Sequence, residues 1–411
     1  MKKEGNIINS IFKNRSFLFI WSGNAISELG GAFGTFCNSI LIYQMTGSTA
    51  ALGSMWLLYF IPSLLLQLFI GPFIDRWSRK WLMICTQWVR GFIFLLPLIL
   101  LMLESLTPLS IYIVQMIIGL VTPIYTPANQ AMTPTIVTKT QLSQANSIID
   151  GTVRIMTFLA PLSGGFVIEF LGIQFTFILI ISLLLISGSL LLFVSEPRRK
   201  EKQRGTWMQQ FMKGITFFFK NRIIAWLGVF LAFVQFGVGV TMVITLPYIT
   251  NELSGSYSDY GMFMASFPLG YIIGSLLVVK MKIINMRTVM LSSLAIGGLT
   301  FIFLGLNNSF SFAILTEVLA GIAMAIFNIH NLTIFQQVVP NELFGKVSSV
   351  RLLIIRGVMP LGVLCGGFAG EWIGIRGLYI MIGGVIVIVA FVALCHPYFK
   401  FLEIIDFKSD R

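Results

Sequence analysis

Long apolar runs separated by short polar hinges set the pattern of this chain from end to end. Twelve runs stand out, at residues 17–43, 50–70, 81–103, 108–136, 143–170, 173–195, 222–250, 258–280, 288–306, 310–337, 346–371 and 376–399. Each is near or above the roughly 20 residues that a helix needs to cross a bilayer core. The short alternating segments of a transmembrane barrel do not occur. The pattern predicts an all-α polytopic membrane protein with twelve transmembrane helices. The first run, beginning near Phe17, is too long for the apolar region of a cleaved signal and shows no small-residue cleavage site, so it is read as a true span.

The longest polar stretch, SEPRRKEKQRGTWMQQFMKG at residues 195–214, follows the sixth span. It is charged and contains proline, which suits a linker between two bodies. The expected organisation is a six-helix bundle over 1–195, a linker over 196–221 and a second bundle over 222–411. An internal repeat supports the division. SGGFVIEFLGIQ (163–174) and CGGFAGEWIGIR (365–376) match at six of twelve positions, offset by 202 residues, and Arg154 and Arg356 fall at the same offset. Parallel repeats of this kind occur in transporters whose substrate site lies between the halves near the bilayer midplane.

Composition sharpens this picture. Of 411 residues 56% are hydrophobic and 11% charged, with a mean hydropathy of +0.88. A soluble protein carries roughly twice that charged fraction. A net charge of +12 would suit nucleic acid, but its distribution argues for membrane topology instead. With the N-terminus cytoplasmic, 23 of the 28 Lys and Arg fall in cytoplasmic segments or on the cytoplasmic end residues of spans, as the positive-inside rule requires. Both termini are expected in the cytoplasm, and the basic hinges attract anionic lipid headgroups. Cys37, Cys85, Cys365 and Cys395 all sit in spans without paired spacing and read as small buried apolar residues. His330 and His396 are too scattered for a metal site. No phosphate-binding loop of the GxxxxGK[ST] form occurs, so ATP hydrolysis is not encoded. No enzyme activity, cofactor or metal is expected. The driving force must then come from an ion gradient or the substrate's own gradient; the expected partners are a small-molecule substrate and the bilayer, with the protein a monomer.

The hinge between spans two and three, GPFIDRWSRK, has the form G-x-x-x-D-R-x-x-R-[RK] through Gly71, Asp75, Arg76, Arg79 and Lys80. With two halves of six spans, the chain resembles the major facilitator superfamily over essentially its whole length. The segments IWSGNAISELGG, YQMTGSTAALG, YTPANQAMTPTIVTKTQLSQANS and ELFGKVSS resemble its bacterial macrolide-efflux and siderophore-export branch. That branch often has acids where this chain has Ser78 and Gln87. The resemblance implies two six-helix bundles and proton-driven export of a small amphipathic molecule. It also implies that Asp75 meets the positive N-terminus of span eleven and Arg79, latching the cytoplasmic side. In span five, APLSGG resembles an exporter motif through Pro161, Gly164 and Gly165, and a generic packing kink is the other reading.

Charges within spans are the remaining candidates, because each costs at least ~2.5–3.5 kcal/mol at the bilayer centre unless it is partnered or hydrated. Glu28, midway along span one between glycines, has no basic residue three or four positions away. A carboxyl in such a place either carries a proton near neutral pH or rests neutral against a neighbouring helix. Asp150 and Arg154 form an i, i+4 pair; the bland reading is a local ion pair, and an anion site on Arg154 is the alternative. Arg351 can snorkel to the interface. Arg356 must find its partner on another helix, and Arg90 has none locally. Glu317 is placed near an outer vestibule. His330, between two Asn, is either a hydrogen-bonding residue or a proton carrier.

The expectation is therefore a secondary transporter of the bacterial cytoplasmic membrane, exporting an amphipathic compound by proton antiport through alternating access. The alternatives are export of a siderophore or lipid-like anion held by Arg154 and Arg356, or a membrane sensor on the same fold.

Overall fold

The structure, a computed structural model, describes residues 11–138, 141–196, 207–281, 285–340 and 343–402. Its helices are α1 (Arg15–Thr46), α2 (Thr49–Arg76), α3 (Arg79–Ile93), α4 (Leu95–Met102), α5 (Pro108–Ile136), α6 (Leu142–Leu190), α7 (Trp207–Lys220), α8 (Arg222–Pro247), α9 (Tyr257–Lys280), α10 (Met286–Leu306), α11 (Phe310–Val338), α12 (Phe344–Ile373) and α13 (Ile375–Cys395). Eleven described stretches are long and apolar enough to span a membrane. One of them contains α6, whose helical path breaks at Gly172 (φ 82°, ψ 168°). Counting both arms of α6 gives the twelve crossings that the hydropathy pattern predicts. Helix α7 lies within the segment read as a linker, whose residues 197–206 fall outside the described ones. Phe211, Ile215 and Phe218 recur there at helical spacing, and Phe218 is buried.

The chain divides into two compact units, residues 1–201 with 256–265 and residues 202–255 with 266–411. The repeat glimpsed in sequence extends through both sets of six spans. In the last three spans of each set the offset is 202 residues: α5 and α11 begin at Pro108 and Phe310, α6 and α12 at Leu142 and Phe344. The break at Gly172 recurs at Gly374 (φ 82°, ψ 155°). That backbone region is essentially closed to residues with a Cβ, which accounts for a glycine in both copies.

In the first and third spans the offset is 207. Asn14 and Asn221 both cap a helix by accepting from the amide three residues on, at Phe17 and Ile224. Gly91 packs against Leu184 and Leu185, and Gly298 against Ile386 and Val387. Lys80 donates to the carbonyl of Leu192 and Arg287 to that of Leu394. Within each unit, then, the same positions make the same contacts.

All four cysteines are free. Cys37 is buried and Cys365 half-buried, but Cys85 and Cys395 are exposed on span surfaces, correcting the reading of all four as buried. A thiol on an apolar exposed face is compatible with lipid, so composition could not separate the two placements.

Candidate coupling site

The first unit holds a buried polar cluster built by three helices. Asn24, Ser27 and Glu28 lie within one turn of α1 and share a face. Gln87 and Arg90 face them from α3, and Tyr125 and Asn129 from α5. Asn129 Nδ2 donates to Asn24 Oδ1 at 3.1 Å. Gln87 Nε2 donates to Ser27 Oγ. Arg90 Nη1 donates to Gln87 Oε1 at 3.1 Å and reaches Ser27 Oγ at 3.3 Å. The far side of the guanidinium rests on Gly31, where a Cβ would overlap Nη2. Arg90 is thus seated among neutral acceptors while only 8% exposed. The sequence reading gave Arg90 no local partner; Gln87, three residues earlier, is one, because an amide oxygen can accept where the sequence lacks an acid.

Glu28 is half-buried and differs from its neighbours. It accepts no hydrogen bond and forms no ion pair among the described residues; Arg90 is the cation whose field it feels. Arg90 Nε and Asn129 Oδ1 are buried close by without partners. Unmet polar groups in an apolar interior are costly. A carboxylate left open beside a tethered cation is therefore the chemically distinctive feature of this unit.

Asp150 and Arg154 form their local ion pair on α6, Nε to Oδ2 at 2.9 Å, with both side chains more than half exposed. Gly165 of the same helix packs so tightly that its Cβ would come within 2.6 Å of the Tyr257 carbonyl, and a Cβ on Gly261 would overlap the Pro161 carbonyl. Gly164 faces Phe33. Glu169 accepts from the Ser258 amide at 2.8 Å, one turn beyond this crossing. Pro161 and Gly165 accordingly lie on a glycine-mediated helix crossing with the 256–265 segment of the first unit, while Gly164 packs on α1.

In the second unit, Arg351 is half-buried on α12. Its Nη2 donates to Asn331 Oδ1 at 3.1 Å, and its guanidinium lies 4.9 Å from the Phe335 ring centre. Hydrogen bonding and cation–π attraction hold it on α11. Asn331 also donates to the Leu227 carbonyl at 3.2 Å. Arg356 is half-buried on α12. His330 Nδ1 lies 2.6 Å from the Ile326 carbonyl, and its Nε2 is buried without a partner. A carbonyl can only accept, so Nδ1 carries the hydrogen. Glu317, half-buried on α11, makes no hydrogen bond or ion pair with any described residue.

Of the hinge motif, the side chains of Gly71, Asp75 and Arg76 lie outside the described residues, and the expected latch at Asp75 with them. Arg79 Nη1 donates to the Ala131 carbonyl at 2.5 Å and Lys80 Nζ to that of Leu192 at 2.7 Å. Ser78 caps α3 and donates to Glu196, which also accepts from the Arg79 amide at 2.9 Å. A carboxylate at a helix N-terminus is favoured by its free amides and dipole. The acid missing from position 78 is thus supplied from just after span six.

The sequence reading missed Asn24, Ser27, Tyr125, Asn129 and Glu196. Neutral polar residues on apolar helices carry no distinctive signal until their helices are paired. Glu196 had one, since an acid in a basic hinge opposes the positive-inside bias.

A family model described as Major Facilitator Superfamily matches residues 20–246 and 236–399. An uncharacterized MFS-type transporter of Bacillus subtilis, YvqJ, is 25% identical over 93% of this chain and 92% of its own length. Macrolide efflux protein A of Streptococcus pyogenes is 21% identical over 95% of this chain and 98% of its own. Among solved structures, the nucleoside transporter NupG aligns with a TM-score of 0.69 at 16% identity, covering 92% of this chain and 98% of that one. At that identity the likeness concerns the fold alone.

Proposed function

The chain belongs to the major facilitator superfamily, a family of transporters, and on that premise we propose that it exports a small amphipathic compound by proton antiport. The observation that carries the proposal is Glu28, a carboxyl with no partner beside an arginine held by Gln87 and Ser27. Because Arg90 is occupied by neutral acceptors, it tempers Glu28 without closing it. A proton and a cationic group of the substrate then compete for one carboxylate. Such competition forbids both from being carried in the same direction together, which is the logic of exchange. Alternating access turns that exclusion into export when protons run inward. The resemblance to macrolide efflux protein A supports an amphipathic, weakly basic cargo. The positive-inside pattern supports a bacterial cytoplasmic membrane with both termini in the cytoplasm.

A second reading is favoured by the bare, buried Nε of Arg90: it would receive an acidic group of an anionic cargo. Substrate panels that differ only in charge separate the two. The test of the main reading is compound sensitivity of cells with and without the gene, with and without a protonophore. It expects resistance to amphipathic cations that the protonophore abolishes. Resistance that survives the protonophore, or is confined to anions, contradicts it.

A further inference from the structure

The repeat makes a second acid conspicuous. Gln115 of α5 and Glu317 of α11 are equivalent at the 202-residue offset, each four residues before a glycine at which its helix meets a neighbour's backbone. Gly119 meets Tyr59, and Gly321 meets Phe267 and Tyr271. In the first unit the position is satisfied: Asn38 Nδ2 donates to Gln115 Oε1 at 3.0 Å, with both residues fully buried. The residue equivalent to Asn38 at the 207-residue offset is Thr245. Its hydroxyl is engaged by the Thr241 carbonyl at 2.7 Å and the Tyr379 hydroxyl at 3.2 Å. Glu317 is therefore a carboxyl where the repeat has an amide, and the partner that the amide enjoys is turned elsewhere.

The same offset pairs Glu28 with Gln235. Each unit thus has one Glu and one Gln at these two repeat positions, with the acid on the first span in one and on the fourth span in the other. Tyr248 is the described ionisable side chain within the electrostatic reach of Glu317. Its hydroxyl donates to the Leu304 carbonyl at 2.8 Å. The nearby cation Arg376 is engaged by Glu252 at 2.6 Å. No described cation pairs with Glu317, so its charge is unbalanced when ionised.

We propose that Glu317 is a second proton-carrying group, so that two protons enter for each monovalent cation exported. This rests on the antiport reading for Glu28. Exchange of two protons for one monocation moves a net charge, whereas one-for-one exchange moves none. The purified full chain is reconstituted in proteoliposomes with ethidium, a permanent monocation, as the probe. For the wild type, a potassium–valinomycin potential and a pH gradient should each drive ethidium transport. Glu317→Gln should keep the pH-driven flux and lose the potential-driven one. Glu28→Gln should lose both.

Potential-driven flux that persists in Glu317→Gln, or a rise in the ethidium KM with unchanged electrogenicity, overturns the second site. Wild-type flux in Glu28→Gln overturns the antiport reading instead. A second measurement does not depend on the probe. A carbodiimide couples to protonated carboxyls in apolar surroundings, so mass spectrometry of treated protein should find an adduct on Glu317 at neutral pH that is lost as the pH rises. An unlabelled Glu317 overturns the proposal whatever the cargo.

Discussion

At positions 24, 27, 87 and 90 the first half carries Asn, Ser, Gln and Arg, bound to one another or to α5. At the equivalent positions the second half carries Leu231, Val234, Leu294 and Gly297. The three aliphatic ones are buried, at 4%, 4% and 2% exposure. The same backbone register is therefore built twice, once around a hydrogen-bonded arginine and once around ordinary apolar packing. Since the apolar version serves the fold, the polar version is not there for folding. Buried polar groups cost free energy even when satisfied in part, and here Arg90 Nε and Asn129 Oδ1 are not satisfied. The difference supports the proposal that the first-half cluster serves transport.

Converting one half toward the other tests this directly. Ser27→Val with Gln87→Leu gives the first half the second half's residues but leaves Arg90 without its acceptors. A buried charge stripped of its partners costs about 3–5 kcal/mol, so the thermal unfolding temperature in detergent should fall sharply. Adding Arg90→Met should recover most of that loss and leave a folded protein that no longer transports. Recovery of transport would contradict the comparison.

A smaller effect should be equal in both halves. Gly172→Ala and Gly374→Ala each force a Cβ into a backbone region that costs about 1–3 kcal/mol, and matched losses in stability would sharpen the structural repeat. The smallest concerns the equivalent asparagines, Asn129 and Asn331. Asn129→Ala removes one hydrogen bond to Asn24, worth about 0.6 kcal/mol on average between membrane helices. Asn331→Ala removes the bond to the Leu227 carbonyl and also the acceptor of Arg351, so it should cost more. Thermal unfolding of the two variants side by side checks the order.

The architecture was legible because a span announces itself through about 20 apolar residues and because LGIQ and IGIR repeat around Gly172 and Gly374. Glu28 and Glu317 were legible as charges without sequence neighbours. The cluster around Arg90 was not. Asn24, Ser27 and Asn129 are unremarkable on their own helices, and Gln87 stood out only as an acid that was missing. What joins them is the packing of α1, α3 and α5, which no single-span pattern encodes. The contacts of Arg351 were hidden for a related reason: Asn331 and Phe335, which receive it, lie on α11.

The central claim is that one carboxyl in the first half exchanges its proton for the cargo. The most direct measurement is ethidium exchange under an imposed pH gradient in proteoliposomes carrying wild type or Glu28→Gln, with monodispersity and unfolding temperature matched beforehand. The account predicts rapid exchange for the wild type and none above protein-free liposomes for the variant. Wild-type exchange by a well-folded Glu28→Gln protein would contradict it.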